Sequence, residues 1–387
     1  MFASTLELPR SLDEVPTPAL LVDLDALDAN IAKMTSYCRD QKRGLRPHGK
    51  THKCPEIAKR LIRAGAVGTC AAKLSEAEVF AREGVRGILV TTAAIGRLKV
   101  ARAVALASRQ PDTIFSVDDA ANVREISEAA AAMKGKALTV NVAIDLYIGN
   151  RTGIRPGEPA LELARVISKL KNVKLVGLQA YAGHASHKQG FEARAQLSRD
   201  FMGQAVETRR LLERSGIACP MLTGGSTGTY NIDTKIDGTT EMQPGSFLFM
   251  DVDYSRIGGA DGNAVYRDFQ TSLTAITTVV STPSGADVVV DGGFKAFSTD
   301  KPFPPEAIRV WRDGAPRPFG GVTFSWGGDE HGKLNMAQAT SPLKVGDRVE
   351  FVVPHCDPTV NLHDRLYAHR GSRVEAVWPI SARGMSQ

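Results

Sequence analysis

Four short clusters bring together residue types that do chemistry. The first is RPHGKTHK, in which the amine of Lys50 stands between His48 and His52. A lysine is a nucleophile only after losing its proton, and burial or cationic neighbours make that loss easier near neutral pH. On an extended strand, alternate positions would turn both imidazoles to the face of Lys50. The competing reading is a solvated basic loop. The second cluster is IDLYIGNRTG, where Arg151 lies between Gly149 and Gly153 and follows Asp145. Flanking glycines let a flat ligand approach the guanidinium closely, although a glycine turn with a surface arginine would look the same. In the third, LTGGSTGTY, backbone N–H groups and hydroxyls from Thr223 to Thr227 can cradle a phosphate. It has neither the lysine of a P-loop nor the dinucleotide glycine spacing, which disfavours a nucleoside triphosphate. The fourth is VVPHCDPTVNLHD. If the chain stays extended there, His355 and Asp357 share one side, a sparse pair suited to a divalent ion that keeps waters. A histidine capping a turn is the alternative. His184 and His187, in YAGHASH, are candidates to relay protons or orient a metal-bound water, or are ordinary structural donors.

These clusters need elements to hold them. From Thr17 to Asp251 the chain alternates short apolar runs (PALLVD, GTCAA, GILVTT, TIFSV, LTVNVAI, LVGLQAY, PMLT, GSFLFM) with stretches of helical period. Eight such βα repeats predict an α/β fold with a closed parallel (β/α)8 barrel over 17–254, an open parallel sheet being the alternative. In a barrel, functional groups follow the strands. Beyond it, runs such as SLTAITTVVST, ADVVVDGG and RVEFVVP predict a C-terminal β domain over 255–387, joined by 1–16.

Composition narrows the classes. Of 387 residues, 43% are hydrophobic and 23% charged, the balance of a globular protein with a substantial core. The net charge of +6 is spread along the chain without aromatic interleaving, so a field attracting small anions is expected and nucleic acid is not. Five scattered cysteines with no CxxC pair suggest a reducing compartment. The N-terminus lacks a signal-peptide pattern and no apolar run is long enough to span a bilayer, so a cytoplasmic protein without membrane contact is expected.

Taken together and in this order, the four clusters resemble the D-threonine aldolase and D-serine dehydratase family, of the alanine racemase-like pyridoxal phosphate (PLP) fold, over nearly the whole chain. The resemblance implies that Lys50 carries PLP as a Schiff base and that Arg151 meets its ring. An arginine beside the pyridine nitrogen would leave that nitrogen unprotonated and the ring a weaker electron sink. The resemblance also implies that Gln179 and Tyr181 line the pocket. The phosphate would rest on Thr223, Gly225, Ser226 and Thr227 with backbone around Gln243 and Gly245. It further implies a homodimer. Aldolases of the family are similar at His-x-Asp and take magnesium or manganese, whereas dehydratases resemble His-x-Cys with zinc. His355 and Asp357 therefore point to an aldolase. The expected reaction is PLP- and metal-dependent retro-aldol cleavage and aldol synthesis of a D-configured β-hydroxy amino acid. 3-Hydroxy-D-aspartate, giving glycine and glyoxylate, is the first expectation. D-threonine cleavage or dehydration of D-serine or 3-hydroxyaspartate remains open, as does a PLP carrier without catalysis, although such carriers lack the β domain. Lys73 and Arg155 are cations available near strand ends for a second substrate carboxylate.

Overall fold

The computed structural model describes residues 9–387 except 134–136, 150, 285–286 and 313. The first strand, β1 (Ala19–Asp23), is a five-residue apolar run. It is followed by the helix α1 (Leu24–Asp40), whose N-terminus is capped by the carboxylate of Asp23 accepting from the amides of Asp25 and Ala26. Eight parallel strands then curl into the barrel: β2 (Gly44–Leu45), β3 (Thr69–Ala71), β4 (Ile88–Val90), β5 (Ile114–Val117), β6 (Val140–Asp145), β7 (Val173–Ala180), β8 (Met221–Gly224) and β9 (Glu241–Met242), in the order β2-β9-β8-β7-β6-β5-β4-β3. The seam between β2 and β3 is closed by a parallel bridge from His48 to Cys70, with Val67 N donating to Leu45 O and Cys70 N to Pro47 O, both at 2.8 Å.

Two of the strands expected for this barrel lie elsewhere. PALLVD, as β1, pairs antiparallel with β10 (Leu273–Ser284) and parallel with Arg365–Arg370, inside the ten-stranded sheet of the C-terminal domain. The barrel unit therefore starts at α1 and not at Thr17. GSFLFM is a 3-10 turn, Ser246–Leu248, whose Phe247, Leu248 and Phe249 are fully buried. Both runs are apolar because they fill the core shared by the two domains, where α1, Phe247 to Met250 and the β-domain strands form one continuous cluster. Continuous burial looks the same in either sheet. The strands that take their places, β2 and β9, are two residues each and carry no periodic signal. Described residues just before β1 reach the β domain, Leu12 N donating to Ser372 O and Val374 N to Arg10 O.

Candidate active site

Lys50 follows β2 at the end of the barrel where the strands finish. It does not continue a strand: Gly49–Thr51 forms a single 3-10 turn, and His48 Nδ1 accepts from Lys50 N at 3.3 Å. The turn requires a glycine before the lysine, because a Cβ on Gly49 would sit 2.6 Å from the Phe80 ring. It also separates the two imidazoles that a strand would have aligned. His48 lines the pocket, its Nε2 3.4 Å from Thr91 Oγ1, and burial, reinforced by Lys50, holds it neutral. His52 points into the core, where Nδ1 accepts from Cys54 N, and burial pushes it down to about 3. Nor do the surroundings ease deprotonation of Lys50 as expected. Burial disfavours its charge, but Asp357, with Oδ2 3.5 Å from Nζ, together with Tyr181 outweighs burial, and the net direction is up.

The ring of Tyr181, just past β7, lies 5.9 Å from Lys50 Nζ and 5.4 Å from the guanidinium of the exposed Arg151, so one aromatic ring neighbours both cations. Gln179 lies beneath this wall and does not line the pocket: Nε2 donates to Asp145 Oδ1 at 2.9 Å and Thr91 O at 3.1 Å. Asp145 also accepts from Thr152 Oγ1, which ties down the arginine turn. Across the pocket are Ser226 and Thr227, with Gln243, Gly245 and Ser246 beside them. Thr223 lies below, accepting from Gln243 Nε2 at 3.0 Å, and Gly225 makes the turn at a φ of +74° that disfavours any side chain. Thr227 Oγ1 accepts from Phe247 N, joining the loop after β8 to the turn after β9. The amides of Thr227, Gly245 and Ser246 donate to no acceptor among the described residues. A Cβ on Gly245 would come within 2.3 Å of Thr51 Oγ1. Unpaired amides, a hydroxyl and bare backbone make a cradle that fits a phosphate.

His355 and Asp357 come from the β domain. The chain is extended only at His355, which caps the short helix Cys356–Val360, so Asp357 lies in a helical first turn and not on a strand. Both side chains nevertheless reach the pocket, while Cys356 is fully buried. His355 Nδ1 sits 2.7 Å from Asp300 Oδ2, which orients the ring and leaves Nε2 for another partner. Burial works against the charge of Asp357, but Lys50 and His355 outweigh it and hold the carboxyl at about 2. Among the described residues no three acidic, histidine or cysteine side chains are arranged to hold a metal ion together. A divalent ion here would therefore have an imidazole and a carboxylate, with water or substrate oxygens completing its shell, and the donor set fits a hard cation in that form.

The two later histidines part company. His187 lines the pocket, with Nδ1 2.7 Å from Asp253 Oδ2, an electrostatic contact without hydrogen-bond alignment. Lys301 Nζ approaches the same oxygen at 2.8 Å. Burial opposes the charge on Asp253, but these two neighbours outweigh it and hold the carboxyl at about 2. His184 packs edge-on against Phe201 at 4.4 Å, away from the pocket. His48, expected only as a neighbour of Lys50, lines the site, as do Thr51, Ser246 and Tyr254, which the sequence did not mark, and the Tyr254 ring lies 4.6 Å from that of His187. Ser246 and Tyr254 carry no spacing signal of their own, because the four converge from three separate segments.

Residues 22–253 match the alanine racemase N-terminal domain family, and 272–369 match a putative serine dehydratase domain. The chain belongs to the alanine racemase N-terminal domain family. Within it, the chain is 36% identical over 373 residues to 3-hydroxy-D-aspartate aldolase of Paracoccus denitrificans, covering 96% of this chain and 93% of the relative. The crystal structure of D-threonine aldolase from Filomicrobium marinum is similar at a TM-score of 0.88 and 34% identity, over 98% of this chain and 99% of that one. D-threo-3-hydroxyaspartate dehydratase from Delftia sp. HT23 is similar at 0.80 and 26%, over 96% and 99%. The alanine racemase-like fold, a curled eight-stranded parallel sheet with a mostly β C-terminal domain, is thus shared across these family members.

Proposed function

We propose that this chain cleaves a D-configured β-hydroxy amino acid, 3-hydroxy-D-aspartate before others, into glycine and an aldehyde, here glyoxylate, and runs the reverse synthesis. Full-length similarity to aldolases within a PLP fold makes it a PLP-dependent carbon–carbon lyase. The observation that carries the finer reading is that the Lys50 amine and the His355–Asp357 pair face one pocket, Nζ lying 3.5 Å from Oδ2. A cofactor carrier or a racemase would have no task for that pair.

Lys50 would hold PLP covalently, the Ser226–Thr227 loop with the Gly245 and Ser246 amides would take its phosphate, and Arg151 with Tyr181 would border its ring. When bound, PLP supplies the conjugated ring that accepts the electron pair released at Cα. His355 and Asp357 would hold magnesium or manganese, which lowers the pKa of a hydroxyl beside it. His187, with Nδ1 against Asp253, is left with Nε2 to take the β-hydroxyl proton. Tyr254, kept in its phenol form by burial, packs against His187 and limits its movement. The five thiols are free and buried, which supports a reducing, cytoplasmic setting; no described helix is long and apolar enough to cross a membrane. The homodimer rests on resemblance and is read directly by light scattering.

Purified protein supplied with PLP, magnesium and 3-hydroxy-D-aspartate should release glycine and glyoxylate in equal amounts. Oxaloacetate and ammonia in their place would establish dehydration. That second reading has support in the Delftia relative, but the carboxylate of Asp357 is a harder donor than a thiolate and weighs toward the aldolase.

A further inference from the structure

The pocket offers no apolar cup to a substrate side chain. Its lining consists of imidazoles, hydroxyls, phenols, an amide, an amine and a carboxylate, with no aliphatic side chain among them. A methyl group gains from apolar walls, whereas a carboxylate leaving water needs an opposite charge and hydrogen-bond donors. Lys73, which precedes the helix Leu74–Arg82, the exposed Arg155 and Lys301 all lie outside the pocket lining, but Lys301 alone of the three shares a carboxylate, Asp253, with the lining residue His187.

A cation does stand beside His187. Asp253 Oδ2 receives Lys301 Nζ at 2.8 Å and His187 Nδ1 at 2.7 Å, so a single carboxylate oxygen faces two groups able to carry positive charge. Whenever His187 takes a proton the cluster holds a net positive charge. The preceding residue, Asp300, contacts His355 Nδ1 at 2.7 Å, so the step Asp300–Lys301 runs from the His355–Asp357 pair to His187. Its approach is pinned by Ser298, whose amide donates to Thr359 Oγ1 at 3.1 Å and whose hydroxyl donates to His355 O at 3.2 Å. The Lys301 side chain is 22% exposed, and its ammonium, ion-paired with Asp253, carries three N–H donors for a further acceptor.

We propose that Lys301 is the specificity-determining residue that receives the distal carboxylate of a β-hydroxy dicarboxylic amino acid, and so sets this enzyme's preference for 3-hydroxy-D-aspartate over D-threonine. The assignment rests on the aldolase reading. With the β-hydroxyl directed to His187 and the metal pair, the substituent on the same carbon lies next to the Asp253–Lys301 contact.

The test is kcat/KM for 3-hydroxy-D-aspartate and for D-threonine, measured on the PLP- and magnesium-loaded wild type, Lys301→Met, Lys301→Gln and Lys301→Arg. Losing the charged donor should lower the hydroxyaspartate-to-threonine ratio by about 10- to 100-fold in the Met and Gln variants, mainly through KM for hydroxyaspartate, with Arg restoring part of it. Disturbance of Asp253 and His187 slows both substrates alike and cancels in the ratio. A folded Met or Gln variant with the wild-type ratio overturns the role of Lys301 while leaving the aldolase standing. Wild-type protein that cleaves neither substrate overturns the aldolase reading and this assignment with it.

Discussion

Replacing Arg194 by methionine should loosen three walls of the pocket at once. Arg194, in the helix Phe191–Arg214, is fully buried, and its hydrogen bonds go to main-chain carbonyls and not to a carboxylate. Its guanidinium instead donates to four carbonyls: Nε to Gly228 O at 2.7 Å, Nη1 to Lys188 O at 2.9 Å and Ile257 O at 2.7 Å, and Nη2 to Gly258 O at 2.7 Å. Gly228 closes the phosphate-type loop, Lys188 follows His187, and Ile257 and Gly258 follow Tyr254. Hydrogen bonds from a charged donor contribute about 1.5–3 kcal/mol each, but burying the guanidinium cancels part of that. Methionine removes the buried charge and all four donors. Ile257 O keeps the Gly190 amide as a partner, and the carbonyls of Lys188, Gly228 and Gly258 lose theirs. At about 1–3 kcal/mol for each unpaired buried acceptor, with some water entering, the expected net loss is about 3–5 kcal/mol. Arg194→Lys, which keeps the charge but not the fork, should fall between. Chemical denaturation followed by circular dichroism gives the stability change, and absorbance titration gives PLP affinity. A methionine variant that loses under about 1 kcal/mol and binds PLP like the wild type would refute the reasoning.

Lys50→Ala should abolish both turnover and the visible absorbance of lysine-held PLP; a persisting band would remove Lys50 from its assigned place. Asp300→Ala frees the His355 ring, and manganese affinity measured by calorimetry should drop by about 10- to 100-fold, an unchanged affinity counting against the site. Burial pushes the Asp233 carboxyl up to about 6, under the loop where Ser198 and Thr229 donate to it. Because its folded pKa lies above the unfolded value, its stabilising contribution is present below an ordinary carboxylate pKa and is lost as pH rises through about 6. Wild-type stability should therefore fall relative to Asp233→Asn by up to about 3 kcal/mol between about pH 4 and pH 7. A difference that does not vary with pH would sink this one.

Much of the site could be read from short-range patterns. The Lys50, Arg151, Ser226 and His355–Asp357 segments each carry a local composition that names a chemistry, and the βα period places most of them after strands. The period also misled where burial was continuous: β1 and the Phe247 turn are apolar for packing reasons and belong to other elements than the barrel strands they resemble. The backbone turn at Gly49, which sends His48 to the pocket and His52 to the core, is set by the Phe80 ring from a distant helix and has no local signature.

What the sequence by itself determined is the set of reactive groups, their order and the alternation that builds a barrel, since those depend on neighbours within a few residues. Only the tertiary structure decided that Asp357 sits against Lys50, that His187 and not His184 faces the pocket, and that Asp253, Lys301 and Asp300 surround them. Those contacts join residues far apart along the chain, and the electrostatics that raise Lys50 and lower Asp357 exist only once closure of the barrel and docking of the β domain exclude water between them.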